Sequence, residues 1–460
     1  MQMLACSRLR TPAAAALLLL FAGCKDYLTA PEALHDPNNP SDATINQSFV
    51  ASQAGLFALQ ESHITLDVCQ WMQQCAGVGG RFLENEGNYQ ITPNIFNSDW
   101  VGLYTGGGLV DIRRVQKLAD DAKDPTYGAI ARIIEALDIS YAADVWGDMP
   151  YREALTGTTP AFDPQMQVYD DLQTLLDRAI ADLSAGTGAG PGVFDLMYGG
   201  DRQKWIAAAY TLKARLYLHT VEKLGAAQYI KAIAAAQKGI GSAANDLRSV
   251  HAGGSLVEKH MWVQFIQASG FGEDIAAGAR LVELMKARSD PRLSEYFTKN
   301  PSGGYGGHDV TATSTPSSQI SHLYPTVRLD ASGTFRHPIL TWTENQLILA
   351  EALFQTSGPA AAQPYLDAVR AKVPLASTPA TLQSIMEEKY VSLYMSIEIW
   401  SDWRRTCLPH LTPAVGQDAI PERIFYGSTE ENVNPHTPSA ATQLATNGFR
   451  NPNDPTACTP

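Results

Sequence analysis

The sequence predicts an all-α domain: helical hairpins form a scaffold, long loop-rich insertions depart from it, and β structure is minor. Three observations carry this expectation. Apolar residues recur at helical spacing, as in 127–146, where Ile130, Ile133, Ile134, Leu137, Tyr141 and Val145 share one face. Neighbouring helical segments are joined by short turns into pairs roughly 35–45 residues long, with alanine at contact positions. Glycine, asparagine, serine and proline collect in two regions, 79–96 and 243–337, that resist helix assignment.

Residues 1–23 read as a signal peptide. "MQMLACSRLR" carries two arginines, and "PAAAALLLLFAG" is an apolar run too short to span a membrane comfortably. The run ends in "FAGC", small residues before Cys24, as in the lipobox of bacterial lipoproteins, although Phe21 stands where leucine is commoner. Cys24 would then carry acyl chains such as palmitate, each buried methylene contributing about 0.8 kcal/mol of anchoring. A plain secretory signal is the alternative. No later run reaches about 18 apolar residues, so the mature chain is expected to be anchored to a membrane and not to span it. Residues 24–40, "CKDYLTAPEALHDPNNP", are polar and rich in proline and asparagine, as a lipidated tether would be. Residues 41–460 are expected to form one domain.

The chain has 460 residues with 45% hydrophobic and 18% charged, enough for a sizeable core. Net charge is −13, becoming −15 once Arg8 and Arg10 leave with the signal. The lysines and arginines are scattered, which excludes the concentrated basic face that a nucleic-acid partner needs.

Helices are expected first in "SDATINQSFVASQAGLFALQ" and then in "NSDWVGLYTGGGLVDIRRVQKLADDA", where three glycines weaken or bend the helix. They continue in "YGAIARIIEALDISYAADVW", "DPQMQVYDDLQTLLDRAIADL", "DRQKWIAAAYTLKARLYLHTVEKL" and "AQYIKAIAAAQKGI". After a gap come "TWTENQLILAEALFQT", "GPAAAQPYLDAVRAKV" and "ATLQSIMEEKYVSLYMSIEIWSDWRR". The pairs have the size of tetratricopeptide-type hairpins, but they are degenerate and interrupted, so a packed domain is expected in place of a regular solenoid. Within 243–337 one helix is expected, "IAAGARLVELMKAR"; the aromatics Trp262, Phe265, Phe271, Tyr296, Phe297, Tyr305 and Tyr324 argue against disorder there.

Four cysteines remain in the mature chain beyond Cys24: Cys69, Cys75, Cys407 and Cys458. An oxidising compartment allows three pairings, of which Cys69 with Cys75 and Cys407 with Cys458 is favoured. Neither Cys69–x5–Cys75 nor "CLPH" at 407–410 has the spacing of a zinc site, so no metal and no cofactor are expected.

The stretch "ADVWGDMPYREAL" ends a helix. Gly147 suits a left-handed cap, Pro150 blocks continuation, and Asp148 can bond turn amides. Asp144 and Asp148 are four apart, as a glycosidase pair might be spaced, but the helix ends between them and nothing else supports catalysis. No enzymatic activity is expected.

The same stretch resembles the helix-ending motif of the SusD/RagB-like family, nutrient-binding outer-membrane lipoproteins of Bacteroidetes-type bacteria. Four further segments agree in order: "GCKDYL" (23–28), "KWIAAAYTLKARLYLH" (204–219), "WTENQLILAEAL" (342–353) and "EEKYVSLYMSIEIWSDWRRT" (387–406). Lys-Asp after the cysteine resembles a surface-export signal. The resemblance implies a lid over a SusC-like, TonB-dependent barrel transporter, capturing oligosaccharides, or peptides in some members, for import without catalysis. It carries over no ligand-contact residues, because the matches lie in the scaffold.

Sugar binding needs flat apolar faces and a few orienting polar groups. The first loop region offers Arg81, Phe82, Asn85, Asn88 and Tyr89, with Trp71 and Trp100 nearby; the second offers Trp262, Gln264, Tyr305, His308 and Tyr324. Trp146, Trp205, Trp400 and Trp403 sit in periodic helices and are assigned to the core. Asp402, Arg404 and Arg405 are expected to meet scaffold carboxylates in preference to a ligand. His219 and His410 show no partner in the sequence and carry no assignment. The other readings weighed are a helical glycoside hydrolase, which needs two placed carboxylates, and a tetratricopeptide-type adaptor at the outer membrane with a purely protein partner.

Overall fold

The computed structural model describes residues 43–157, 159–269, 271–446, 449–451, 454 and 458. The signal peptide, Cys24, the tether and the Ser41-Asp42 cap signal lie outside the described residues. The chain begins with α1 (Ile45–Gln60), α2 (His63–Trp71), β1 (Cys75–Gly77) and α3 (Gly80–Glu84). Next come α4 (Asn97–Tyr104), α5 (Leu109–Asp121), α6 (Pro125–Trp146), α7 (Gln165–Ala185), α8 (Arg202–His219), α9 (Val221–Leu224) and α10 (Ala227–Ala236). The insertion carries β2 (Leu247–Arg248), α11 (Met261–Ser269), β3 (Ile275–Ala277), α12 (Ala279–Ala287), α13 (Leu293–Tyr296) and β4 (Pro338–Leu340). The chain closes with α14 (Trp342–Ser357), α15 (Pro359–Lys372), α16 (Leu382–Ser392), α17 (Glu398–Thr406), α18 (Ser428–Val433) and α19 (Ala440–Ala445).

The fold is the helical one the periodicity implies. Helix α6 is buried along nearly its whole length, with Asp124 capping its start and Pro125 in its first turn. Gly147 ends it at φ +81°, where an added Cβ would lie 3.2 Å from the Asn451 side chain. Each scaffold helix packs on the next in an array α5, α6, α7, α8, α10, α14, and α14 also packs on α15 and α16. The hairpins that are interrupted in sequence are therefore neighbours in space: the chain leaves at α10 and rejoins the array at α14. Trp146, Trp205, Trp400 and Trp403 are all buried. The described residues from Ser48 onward form one compact unit. No helix among the described residues is long and apolar enough to cross a membrane.

Several boundaries differ from expectation. The triple glycine separates two helices, α4 and α5, instead of bending one. A Cβ on Gly55 of α1 would sit 2.3 Å from the Gly107 carbonyl oxygen, so the turn is pressed backbone to backbone against α1. Helix α2 carries no strong start signal and was not expected. The late segment breaks into α16 and α17 around Met395, at φ +73°. The 243–337 region holds the helices α11 and α13 besides the expected α12. Cys69 is bonded to Cys75 and Cys407 to Cys458, with Cα–Cα distances of 5.3 and 5.1 Å.

Two short antiparallel ladders hold the insertion. Leu247 pairs with Leu340 and Arg248 with Pro338, closing its root. Cys75, Ala76 and Gly77 pair with Ala277, Ala276 and Ile275, tying it to the first loop region. Buried Glu61 fastens the root further: Oε1 meets His251 Nε2 at 2.7 Å, and Oε2 accepts the Met261 N–H at 3.0 Å. His260 and His337 complete the cluster, 3.3 Å apart through Nε2 and Nδ1. Burial pushes His260 down to about 4 and His337 down to about 3. Glu61, although burial opposes it, is held down at about 2 by the adjacent histidines.

Beneath the array lies a chain of buried charges. Arg215 of α8 forks onto Glu344 of α14 at 2.6 and 2.7 Å and reaches Glu398 of α17 at 3.1 Å. His219, which the sequence left without a partner, stands between Asp144 of α6 at 2.9 Å and Glu398 at 3.0 Å. Burial lowers its affinity for protons, but the two carboxylates win and raise it to about 10. Arg405 pairs with Glu351 and Asp402, as does Lys389. Arg404 donates to the backbone carbonyls of Asp144 and Glu422, and its Nε lies 3.9 Å from Asp454 Oδ2.

These groups set opposite pH limits. His219 binds its proton more tightly when folded, so its contribution is complete below about pH 6.5 and declines as pH rises toward 10. His260 and His337 bind protons less tightly when folded, so theirs is complete above about 6.5 and declines as pH falls toward 4 and 3. Denaturant unfolding should therefore show maximal stability near neutrality. His219→Gln should cost about 3–5 kcal/mol at pH 7 by stranding two buried carboxylates, and should flatten the decline between pH 7 and 10. A variant as stable as the wild type at pH 7, with the same alkaline decline, would contradict this account.

Candidate ligand-binding site

A cavity of about 410 Å³ opens between the first loop region and the insertion. Helix α1 supplies Gly55, Ala58 and Leu59; Ser62 and His63 begin α2; and α4 supplies Ser98, Asp99, Gly102 and Leu103. Gly106 and Gly108 of the triple-glycine turn, Asp138 of α6, Arg81 of α3, Ile95 of the first loop region, and Met261 and Phe265 of α11 complete the lining. The glycines matter here: a Cβ at Gly102 or Gly106 would meet nothing within 4 Å, so both leave open volume. An aromatic and a thioether on one wall, with guanidinium, imidazole, hydroxyl and carboxylate groups on others, is the composition of a small-molecule site.

The polar side of this cavity is a cluster. Arg81 Nη2 lies 2.9 Å from His63 Nε2, and Arg81 Nε lies 3.4 Å from Glu86 Oε1. His63 Nε2 is 3.5 Å from a carboxylate oxygen of both Asp67 and Glu86. Burial pushes Asp67 up to about 7 and Asp99 up to about 6. For His63 burial acts to lower the value, and Asp67 and Glu86 raise it above the ordinary histidine range.

The expected contact residues separate into two groups. Trp71, Phe82 and Trp262 are each 1% exposed or less and are corrected to packing residues; Trp100, equally buried, edges a separate cavity of about 320 Å³ beside Tyr104, Leu155 and Val433. Trp71 donates its indole N–H to the Glu86 carbonyl and meets Trp400 edge-on at 5.5 Å. Phe82 lies against His63. Trp100 donates to Glu430 and joins an aromatic group with Tyr104, Trp146, Phe162 and Tyr426. Trp262 lies beside His260. Gln264 is turned inward on its own segment, its amide donating to the Lys259 carbonyl at 2.6 Å.

Arg81 alone of the expected set lines the 410 Å³ cavity. Asn88, Tyr89 and His308 meet in a second, smaller cavity of about 200 Å³ with Leu83, Val310 and Ala414. There Asn88 donates to the Leu83 carbonyl, and the Tyr89 hydroxyl accepts the Ala414 N–H, so both already brace their loops. His308 and His410 also line an adjoining groove of about 460 Å³. Asn85 is exposed at the end of α3. Tyr305 is half-buried and lines none of these spaces, while Tyr324 is half-buried with its hydroxyl 3.4 Å from Gln267. His63, Ser98, Asp99, Met261 and Phe265 line the cavity and were not among the expected residues. Phe265 was visible as a loop aromatic, three residues after Trp262; once α11 forms, Trp262 turns inward and Phe265 reaches the cavity.

A family model described as "Starch-binding associating with outer membrane", SusD-like, matches residues 37–375 and 358–427. No curated protein sequence matches the chain. Among solved structures it is similar to a chitin-binding protein at 21% identity and TM-score 0.74, covering 90% of this chain and 100% of that one. A chitin-binding SusD homolog from Flavobacterium johnsoniae matches at 19% identity and TM-score 0.72, covering 90% and 99%. A SusD-like protein from Bacteroides thetaiotaomicron matches at 19% identity and TM-score 0.73, covering 89% and 97%. The family model spans most of the chain, from residue 37 to residue 427, and this protein belongs to the SusD-like family.

Proposed function

We propose that this protein is a non-catalytic capture protein for oligosaccharides at the outer membrane. In this reading Cys24 carries the lipid anchor, residues 24–40 form the tether, and residues 41–460 form the binding domain. The captured glycan passes to a SusC-like, TonB-dependent barrel transporter. The observation that carries the binding reading is the 410 Å³ cavity, where Phe265 and Met261 face Arg81, His63, Ser98 and Asp99. That pairing of an apolar wall with orienting polar groups suits a pyranose ring and its hydroxyls. The chitin- and starch-related descriptions among its relatives favour a glycan over other ligands.

The absence of catalysis is favoured by the fate of the two carboxylates that might have served as a glycosidase pair. Asp144 is engaged by His219 and by the Tyr169 hydroxyl at 2.5 Å. Asp148 accepts the Gln165 N–H at 2.9 Å and so fixes the start of α7. Each is committed to structure, and Asp148 does not line the small cavity at Asp144.

Thermal shift against starch- and chitin-derived oligosaccharides and short peptides tests this reading directly. A ligand at about 100 times its dissociation constant should add roughly 2.7 kcal/mol of stability. A shift with one glycan class and no cleavage products supports capture, whereas a shift with peptides alone would move the protein to peptide import. Gly102→Leu places a side chain in open cavity volume and removes a helix-interior glycine, so the fold should gain about 0.5–1 kcal/mol. Glycan affinity should nonetheless fall at least tenfold by calorimetry. Phe265→Ala should weaken binding by roughly 1–3 kcal/mol if a sugar ring stacks there. Undiminished affinity in both variants would place the ligand elsewhere.

A further inference from the structure

We propose that His63, Asp67 and Glu86 form a site for a divalent cation of the Mn²⁺ or Zn²⁺ class. The placement follows from the sequence. His63, Asp67 and Gln70 stand at i, i+4 and i+7 of α2, one stripe of a single helix face, and Glu86 comes across from the turn after α3. One ligand atom from each of His63, Asp67 and Glu86 lies within 4.8 Å of the others. His63 Nε2 is 3.5 Å from both carboxylates. Ligands held about 2.0–2.2 Å from a tetrahedral ion lie roughly 3.4 Å apart, so the spacing needs little adjustment.

A second observation points to a cation independently. Asp67 Oδ2, Glu86 Oε2 and Gln70 Oε1 are all buried and receive no hydrogen bond from the protein. Their residues are 0, 1 and 3% exposed. Buried carboxylate oxygens without donors are costly. The local cationic groups are Arg81, whose side chain is 42% exposed, and the His63 imidazole, beside the carboxyl groups of Asp67 and Glu86. A dication would give the unmatched oxygens a partner.

The imidazole nitrogen an ion would take is Nε2. Arg81 Nη2 can only donate, so the 2.9 Å contact uses the Nε2 lone pair, and an ion would take the place of that donor and of the proton that Asp67 and Glu86 favour. An imidazole nitrogen beside carboxylates favours manganese or zinc over calcium or magnesium. His63 and Arg81 both line the 410 Å³ cavity, which gives an ion a route in from solvent. The buried Glu61, His260 and His337 group has comparable spacing but the wrong proton. His260 Nδ1 accepts the Trp262 N–H at 3.2 Å, which puts the ring proton on Nε2, the atom facing Glu61 and His337. The cation assignment rests on this geometry alone and stands apart from the glycan reading.

The test is titration of the full chain, stripped with a chelator and dialysed, with MnCl₂, ZnCl₂ and CaCl₂ by calorimetry and thermal shift. We expect one equivalent of Mn²⁺ or Zn²⁺ to bind with micromolar affinity and to raise Tm. Asp67→Asn should weaken binding by at least tenfold. Arg81→Ala, at an exposed side chain, should tighten it several-fold by removing the competing cation, which keeps the test decisive if the buried variant does not fold. Absence of stoichiometric binding to the wild type would overturn the site. So would binding that neither variant alters, or a response to calcium alone, which would remove His63 as a ligand.

Discussion

The geometry of the scaffold depends on one buried chain of charges. Asp144, His219, Glu398, Arg215 and Glu344 come from α6, α8, α17, α8 and α14, and each meets the next within about 3 Å. Glu351, Lys389, Arg405 and Asp402 extend the same logic across α14, α16 and α17. Apolar ridges alone would let these helices slide with little penalty, since alanine-rich faces are smooth. Arg215 and His219, one turn apart on α8, hold carboxylates from α6, α14 and α17, and that set of pairs permits one register. Ion pairs of this kind contribute little net stability over a hydrophobic replacement, but losing one member leaves a charge stranded in a low-dielectric interior.

With the array fixed, the insertion has a defined root. The Leu247–Leu340 pairing lies where the chain leaves α10 and rejoins at α14, so the ladder closes a loop of nearly a hundred residues at its base. The Cys75–Ala277 ladder then draws its middle against the first loop region. Glu61 and its histidines fasten the same root to the end of α1. This arrangement leaves space between insertion and scaffold, and the 410 Å³ cavity occupies it. Its floor is built by backbone: Gly55 against Gly107, with Gly102 and Gly106 open to the cavity.

Aromatic content misleads about where a ligand would bind. Tryptophans are the largest apolar side chains, and burying one contributes more than leaving it as a surface platform. Trp71, Trp100 and Trp262 accordingly went inward even though each stands close to loop sequence. Smaller or more polar residues line the space they left: Phe265, Met261, His63 and Asp99.

Helical class, the hairpin scaffold, the end of α6 at Gly147 and the burial of Trp146, Trp205, Trp400 and Trp403 were legible in the sequence. Each depends on periodicity or on local backbone chemistry within a few residues. The family resemblance was legible for the same reason, because its motifs are scaffold helices. The break at Met395, the helix α11, the partners of His219 and the convergence of His63, Arg81, Asp99 and Phe265 were not. These depend on pairings between residues that can be more than a hundred positions apart, as His219 and Glu398 are. No local propensity encodes which distant carboxylate an imidazole will meet. Only the closed array, with the insertion returned against α1 and α4, brings those atoms within bonding distance.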